Sequence, residues 1–120
     1  MIALANRVHL YAHPRVKDEL VRVFEDSLGC AAALSTNAPG LAEPILAWNF
    51  PRGGSLSVEF TAEALDERQA RHGAWLEFLA EDPRAITSRL EMVGLTTVEY
   101  LGRQYFVLPG GQVVRIAPAS

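Results

Sequence analysis

Imidazole, hydroxyl and carboxylate side chains recur at alternate positions in short segments of this sequence. His9, Tyr11 and His13 are separated by single apolar residues, and Ser57 and Glu59 are separated in the same way. Alternation of this kind places each set on one face of a β-strand. Imidazole and carboxylate groups on such a face can bind a divalent cation or transfer protons. The sequence therefore predicts a polar strand face that is either a metal centre or a pocket for a small molecule.

Two later segments extend this polar face. Single apolar residues also separate Trp75 from Glu77, and Val113 and Arg115 flank Val114. A polar and aromatic face opposite a uniformly apolar one is typical of a ligand cup. We expect Arg115 to pair with Glu59, with His9 nearby, because a guanidinium can satisfy a carboxylate with two hydrogen bonds; the alternative is that Arg115 extends into solvent. The predicted cup residues are His9, Tyr11, His13, Ser57, Glu59, Thr61, Trp75, Glu77, Leu79, Val113 and Arg115.

The elements that would position these side chains follow one order twice. Residues 6–61 are predicted to form a strand, a helix and three strands, residues 62–72 a short helical linker, and residues 73–118 the same order again. Each half exposes one apolar sheet face and one apolar helix face, and pairing the halves buries both. The sequence thus predicts one α+β domain of two βαβββ modules that form a curved mixed sheet with a ligand cup. A ferredoxin-like βαββαβ fold is the main rival, but it has only two strands after its first helix.

Length, composition and charge narrow the class of protein. The 120 residues are 49% apolar and 21% charged, which is ordinary for one globular domain. A net charge of −3 without a basic stripe argues against nucleic acid as a partner. No window approaches the roughly 20 apolar residues of a membrane span, and the start lacks the apolar region of a signal peptide. We therefore expect a cytoplasmic protein with no membrane partner, and the single cysteine, Cys30, excludes an internal disulfide.

Three segments together resemble the vicinal-oxygen-chelate superfamily, which includes glyoxalases, bleomycin resistance proteins and extradiol dioxygenases. His9 opens the first strand 20 residues before Gly29, which ends the predicted helix, and Glu59 lies in the fourth strand. The segment Tyr105-Phe106-Val107-Leu108-Pro109-Gly110-Gly111-Gln112 is similar to the superfamily's aromatic-x-x-Asp-Pro-x-Gly-Asn hairpin, with Leu108 in place of the aspartate. The resemblance spans nearly the whole chain and implies the paired-module fold.

The resemblance also implies where a metal would bind. In metal-using members the ligands come from the first and last strands of each half. His9 and Glu59 match the first two positions, but Gly73, beside His72, falls at the third and Arg115 at the fourth. A guanidinium stays protonated and cannot coordinate a cation. We therefore predict a degraded metal site and no cofactor; the alternative is a divalent metal held by His9, Glu59 and His72.

Several functions remain open at this point. The first is a metal-free small-molecule-binding protein, similar to the resistance-type members that sequester a drug as homodimers, with a basic aromatic ligand. The second is a divalent-metal-dependent lyase, isomerase or dioxygenase with an atypical ligand set, and the third is a regulatory domain with a vestigial cup. The fourth is a metal-free enzyme in which Tyr11, His13 and Glu77 supply acid–base groups, but nothing in the spacing selects it over binding. His13 and His72 are equally explained as ordinary strand and linker residues, and Trp48 has no predicted orientation because its segment does not alternate.

Overall fold

The computed structural model describes residues 1–119. These residues form two modules with the same order of elements. The first module begins with a strand and a helix that three further strands follow. Its elements are β1 (Arg7–Ala12), α1 (residues 14–27), β2 (Leu34–Thr36), β3 (Ile45–Asn49) and β4 (Ser55–Phe60).

The second module repeats this order after a short linking helix. That helix, α2, spans Glu67–Ala70, and its Asp66 cap accepts a hydrogen bond from the backbone N–H of Gln69. The predicted pair of βαβββ modules is confirmed. The remaining elements are β5 (Leu76–Ala80), α3 (Pro83–Met92), β6 (Thr97–Tyr100), β7 (Arg103–Val107) and β8 (Val113–Pro118).

Each module forms its own four-stranded mixed sheet. The strand orders are β1-β4-β3-β2, which we call the first sheet, and β5-β8-β7-β6, the second sheet. β1 is parallel to β4 and β5 is parallel to β8, whereas the other neighbours are antiparallel. The parallel pair lies at the same edge of both sheets, so the first and last strands of each module are direct neighbours.

One hydrophobic core joins the two modules. It receives the apolar side of both sheets, including Val58 from β4 and Val114 from β8. The Phe24 ring on α1 stacks on Trp48 with centroids 4.5 Å apart and contacts Phe78 of β5 at 6.4 Å. Trp48 is 0% exposed, so the tryptophan that the sequence could not orient belongs to the core. Because each sheet turns its apolar side toward this core, its polar side faces outward.

The helix α1 changes its winding along its length. It starts as a 3-10 turn (Pro14–Val16), continues as an α-helix (Lys17–Arg22) and ends as a π-helical turn (Val23–Ser27). Cys30 then donates its N–H to the Phe24 carbonyl at 2.9 Å, and β2 begins at Leu34. Within residues 1–119, none of the helices has the length and apolar character that crossing a membrane requires.

Candidate ligand-binding site

The polar side of the first sheet brings a histidine, a serine and a glutamate together. β1 and β4 pair in parallel, with His9 opposite Ser57 and Tyr11 opposite Glu59. His9 Nδ1 lies 2.6 Å from Ser57 Oγ, and His9 Nε2 lies 3.6 Å from Glu59 Oε1. The Tyr11 ring meets the imidazole edge-on at a centroid distance of 5.1 Å. This face therefore holds a hydroxyl, an imidazole and a carboxylate close together.

The polar side of the second sheet carries an ion pair between its two parallel strands. Glu77 on β5 and Arg115 on β8 are directly opposite in register. Arg115 Nη1 donates to Glu77 Oε2 at 3.2 Å, and about half of the Glu77 side chain remains exposed. Glu77 on the neighbouring strand β5 thus holds the Arg115 guanidinium on the surface of the sheet.

Three aromatic rings cluster on the second module. The Trp75 ring lies 4.8 Å from Tyr105 and 5.3 Å from Tyr100 between centroids, and its plane is nearly perpendicular to that of Tyr100. Trp75 Nε1 donates to the Arg71 carbonyl at 2.9 Å, which fixes the indole although the side chain is partly exposed. We call Trp75, Tyr100 and Tyr105 the aromatic cluster. Its rings form a platform that is partly open to solvent.

Sequence reasoning missed two members of this cluster. Tyr100 and Tyr105 lie on β6 and β7, where Val98 is opposite Tyr105 and Tyr100 is opposite Arg103. Alternation along these strands was available as a signal, since side chains two positions apart share a face. What the sequence lacked was the pairing register, which decides that both tyrosines reach Trp75.

The expected pair between Arg115 and Glu59 is wrong within one chain. Arg115 contacts Glu77, and Glu59 contacts His9 instead. The physical reason is that Arg115 and Glu59 belong to different sheets, and each finds its partner on the strand that pairs with its own. Glu59 and Glu77 therefore each have a partner within their own module.

Other predicted cup residues have local roles. His13 lies just beyond β1, and its Nδ1 accepts a hydrogen bond from the Arg15 N–H at 3.2 Å, which caps the start of α1. Val113 is only 1% exposed, so it does not present a surface to a ligand. His72 Nδ1 donates to the Arg68 carbonyl at 2.9 Å in the linker. Leu79, by contrast, stands exposed on the polar side of β5.

Cavities also open on the polar side of the first sheet, including two beside His9 and Glu59. One of about 370 Å³ is lined by Arg7, His9, Asn49 and Ser57 among others. The second, of about 300 Å³, lies beyond Glu59 and is bounded by the segment that leads into the linker. Small-molecule sites typically occupy about 300–1,000 Å³, so both are large enough for a small ligand.

The residues present do not form the metal site that the superfamily resemblance implies. Across residues 1–119 there is no group of three histidine, cysteine, aspartate or glutamate side chains placed to share an ion. The alternative set of His9, Glu59 and His72 is therefore not assembled in one chain. His9 Nδ1 is engaged by Ser57, and Arg115 supplies a cation where the resemblance places a ligand.

Comparison with known structures identifies the fold. The chain superposes on the fosfomycin resistance protein FosX from Listeria monocytogenes with a TM-score of 0.73, covering 100% of this chain and 94% of that one at 14% identity. The chain has the vicinal-oxygen-chelate fold. A mutant of FosX complexed with Mn(II) and a dihydroxypropylphosphonic acid gives 0.74 at 12% identity, over 100% and 95% of the two chains. A possible glyoxalase from Bacillus cereus gives 0.64 at 15% identity, over 97% and 99%.

Sequence comparison adds nothing to this structural likeness. No protein-family model and no curated protein matches the chain. The TM-scores of 0.64–0.74 establish a shared fold at identities of only 12–15%, and fold by itself does not determine function. The activity must therefore be argued from the side chains of this chain.

Proposed function

We propose that this protein is a metal-free small-molecule-binding protein whose ligand lies on the aromatic cluster beside the Glu77–Arg115 pair. The observation that carries this proposal is the cluster itself: Trp75 is fixed by a hydrogen bond and yet remains exposed next to two tyrosines. Fixed aromatic rings open to solvent are typical of ligand-binding surfaces. The function corresponds to that of bleomycin-resistance-type proteins, which sequester a compound without transforming it.

A planar, basic aromatic ligand suits this surface best. The ring faces attract a cation within about 6 Å, and the exposed part of Glu77 adds a negative charge beside them. The net charge of −3 gives the whole molecule the same preference. Arg115 neutralises part of the Glu77 charge, so the aromatic cluster supplies most of the affinity.

The experiment that tests this proposal compares two probes of opposite charge. Acriflavine, a planar aromatic cation, is titrated by calorimetry alongside 2-naphthalenesulfonate, a planar anion. We expect acriflavine to bind more tightly, and Trp75→Ala to weaken it by about tenfold or more because stacking and cation–π contacts are lost. Met92→Ala, on the exposed end of α3, is the matched control and should leave affinity unchanged. Equal affinity for both probes, or an unaltered affinity in Trp75→Ala, contradicts the proposal.

The second candidate is a divalent-metal-dependent lyase, isomerase or dioxygenase. It is favoured by the 3.6 Å approach of His9 and Glu59, two ligand types on neighbouring strands, and by the Mn(II) in the FosX complex. Titration with Mn(II), Ni(II) and Zn(II) separates the two candidates. We expect no stoichiometric site of sub-micromolar affinity, because residues 1–119 place no third donor beside His9 and Glu59. A tight site that disappears in both His9→Ala and Glu59→Gln would favour the enzyme.

We also propose that the protein forms a homodimer in which a second copy covers the polar sides of the sheets. Tyr11 on the first sheet is 59% exposed and Leu79 on the second is 67% exposed. Placing the first sheet of one protomer opposite the second sheet of its partner would close a cup from both halves. Large exposed apolar side chains on a face of this kind favour association.

A further inference from the structure

Ser57, His9 and Glu59 are arranged like a nucleophile, the general base that takes its proton and the acid that orients this base. We propose that Ser57 is an activated nucleophile that accepts the acyl group of small esters, with His9 as its base and Glu59 as a positioning residue. This activity lies on the first sheet and goes beyond the ligand binding proposed for the second. It requires no metal ion.

The negative charge of Glu59 favours one of the two imidazole tautomers. Its Oε1 lies 3.6 Å from His9 Nε2, which is too far for a hydrogen bond, and from there the carboxylate charge favours the tautomer with the proton on Nε2. His9 Nδ1 then carries the lone pair and accepts the hydrogen bond of the Ser57 hydroxyl across 2.6 Å. A hydroxyl with its base within about 2.6–3.2 Å, and a third group orienting that base, is the geometry of nucleophilic catalysis.

The strand framework holds this geometry rigidly. His9 and Ser57 are direct register partners on paired parallel strands. On either side of Glu59, Val58 and Phe60 are buried in the core, which fixes the orientation of β4. The three side chains therefore do not depend on a loop for their placement.

A substrate can approach Ser57 from the neighbouring cavity of about 370 Å³, which Arg7 and Asn49 also line. β4 is flanked by β1 and β3, so its backbone N–H groups are committed to the sheet. The charge that develops on a carbonyl oxygen must therefore be stabilised by side chains, and the guanidinium of Arg7 and the amide of Asn49 are suitable donors. The cavity and these two donors therefore favour small esters that fit beside β4.

The chemical steps are those of a two-stage hydrolysis. Ser57 Oγ bonds to the carbonyl carbon while its proton passes to His9 Nδ1; the ester C–O bond then breaks, and the leaving alcohol takes that proton. Water next bonds to the carbonyl carbon of the acyl-serine and passes a proton to Nδ1. The bond between the acyl carbon and Ser57 Oγ breaks, Oγ recovers the proton, and the carboxylic acid is released.

Labelling with a fluorophosphonate tests the nucleophile directly, since an activated serine oxygen displaces fluoride from phosphorus. In the full-length protein with EDTA present, we expect one adduct per chain, located on Ser57 by peptide mass spectrometry. Ser55 lies two positions earlier on the same strand face and is the matched control, so Ser55→Ala should be labelled normally and Ser57→Ala not at all. His9→Ala should slow labelling by about 100-fold or more, the usual contribution of a general base.

Two further readouts complete the test. Glu59→Gln should slow labelling by about tenfold and Glu59→Asp should restore part of the rate, whereas a merely structural role would give equal losses in both. With p-nitrophenyl acetate, the unaltered protein should release p-nitrophenol in a burst that Ser57→Ala lacks. Labelling spread equally over Ser55 and Ser57, labelling unaffected by His9→Ala, or no burst overturns the proposal. Acriflavine binding by Ser57→Ala is measured in parallel, so failure of this activity is distinguishable from failure of ligand binding.

Discussion

The half-buried carboxylate of Glu25 joins α1 to the first sheet. Its Oε2 accepts hydrogen bonds from Trp48 Nε1 and from the Ala33 N–H, both at 3.0 Å. Glu25→Ala would leave both donors without a partner, and we expect the free energy of unfolding to fall by roughly 2–3 kcal/mol. Urea denaturation followed by circular dichroism measures this loss. Asp26→Ala, an exposed neighbour in the same π-helical turn, is the control, and an equal effect in both variants would contradict this role of Glu25.

The same carboxylate affects the single cysteine. Burial, as the larger cause, and the nearby charge of Glu25 together raise the pKa of the Cys30 thiol to about 11. The thiol therefore remains protonated at neutral pH. It behaves as a small apolar side chain that packs behind α1.

Alternation in the sequence predicted which face a side chain occupies, but not which partner it meets. His9, Ser57 and Glu59 were assigned to one face from period-two spacing alone, and the structure brings them together. The partner of Arg115 was not predictable in the same way. Arg115 contacts Glu77 because β5 and β8 pair in parallel, and this pairing brings together residues that are 38 positions apart in the sequence.

The linker helix α2 packs against the turn between β7 and β8. This close contact is possible because residue 111 in the turn is a glycine. A Cβ added at Gly111 would lie 2.5 Å from the Glu67 carbonyl oxygen and 2.8 Å from the Ala70 Cβ, at a φ of +106°. We expect Gly111→Ala to lower the free energy of unfolding by roughly 2–4 kcal/mol, because backbone strain and overpacking act together.

The control for this prediction is Gly40→Ala. Gly40 also has a positive φ, of +82°, but an added Cβ meets nothing within 4 Å. It should therefore lose only the strain contribution, roughly 1 kcal/mol. If thermal denaturation shows the same loss for both variants, the contact between α2 and the turn contributes nothing.

At the scale of elements, the order of strands and helices was predictable because apolar periodicity changes from two to nearly four at each boundary. The winding of α1 was not. Its π-helical turn shifts the inward positions so that Val23 and Ser27 are buried beside Phe24. The strand bounds also shifted, since the predicted start at Gly73 is occupied by a turn in which Gly73 donates to the Ala70 carbonyl.

At the scale of the whole molecule, we propose that a second copy of the chain covers the polar sides of both sheets, where Tyr11 and Leu79 are exposed. In the homodimer proposed above, the first sheet of one protomer would lie against the second sheet of its partner. We expect native mass spectrometry at micromolar concentration to show a dimer. Leu79→Asp should convert it to a monomer, since a carboxylate would be buried on the β5 face. Met92→Asp, which is exposed on α3, should leave the dimer intact; a monomeric unaltered protein, or dissociation in both variants, contradicts this assembly.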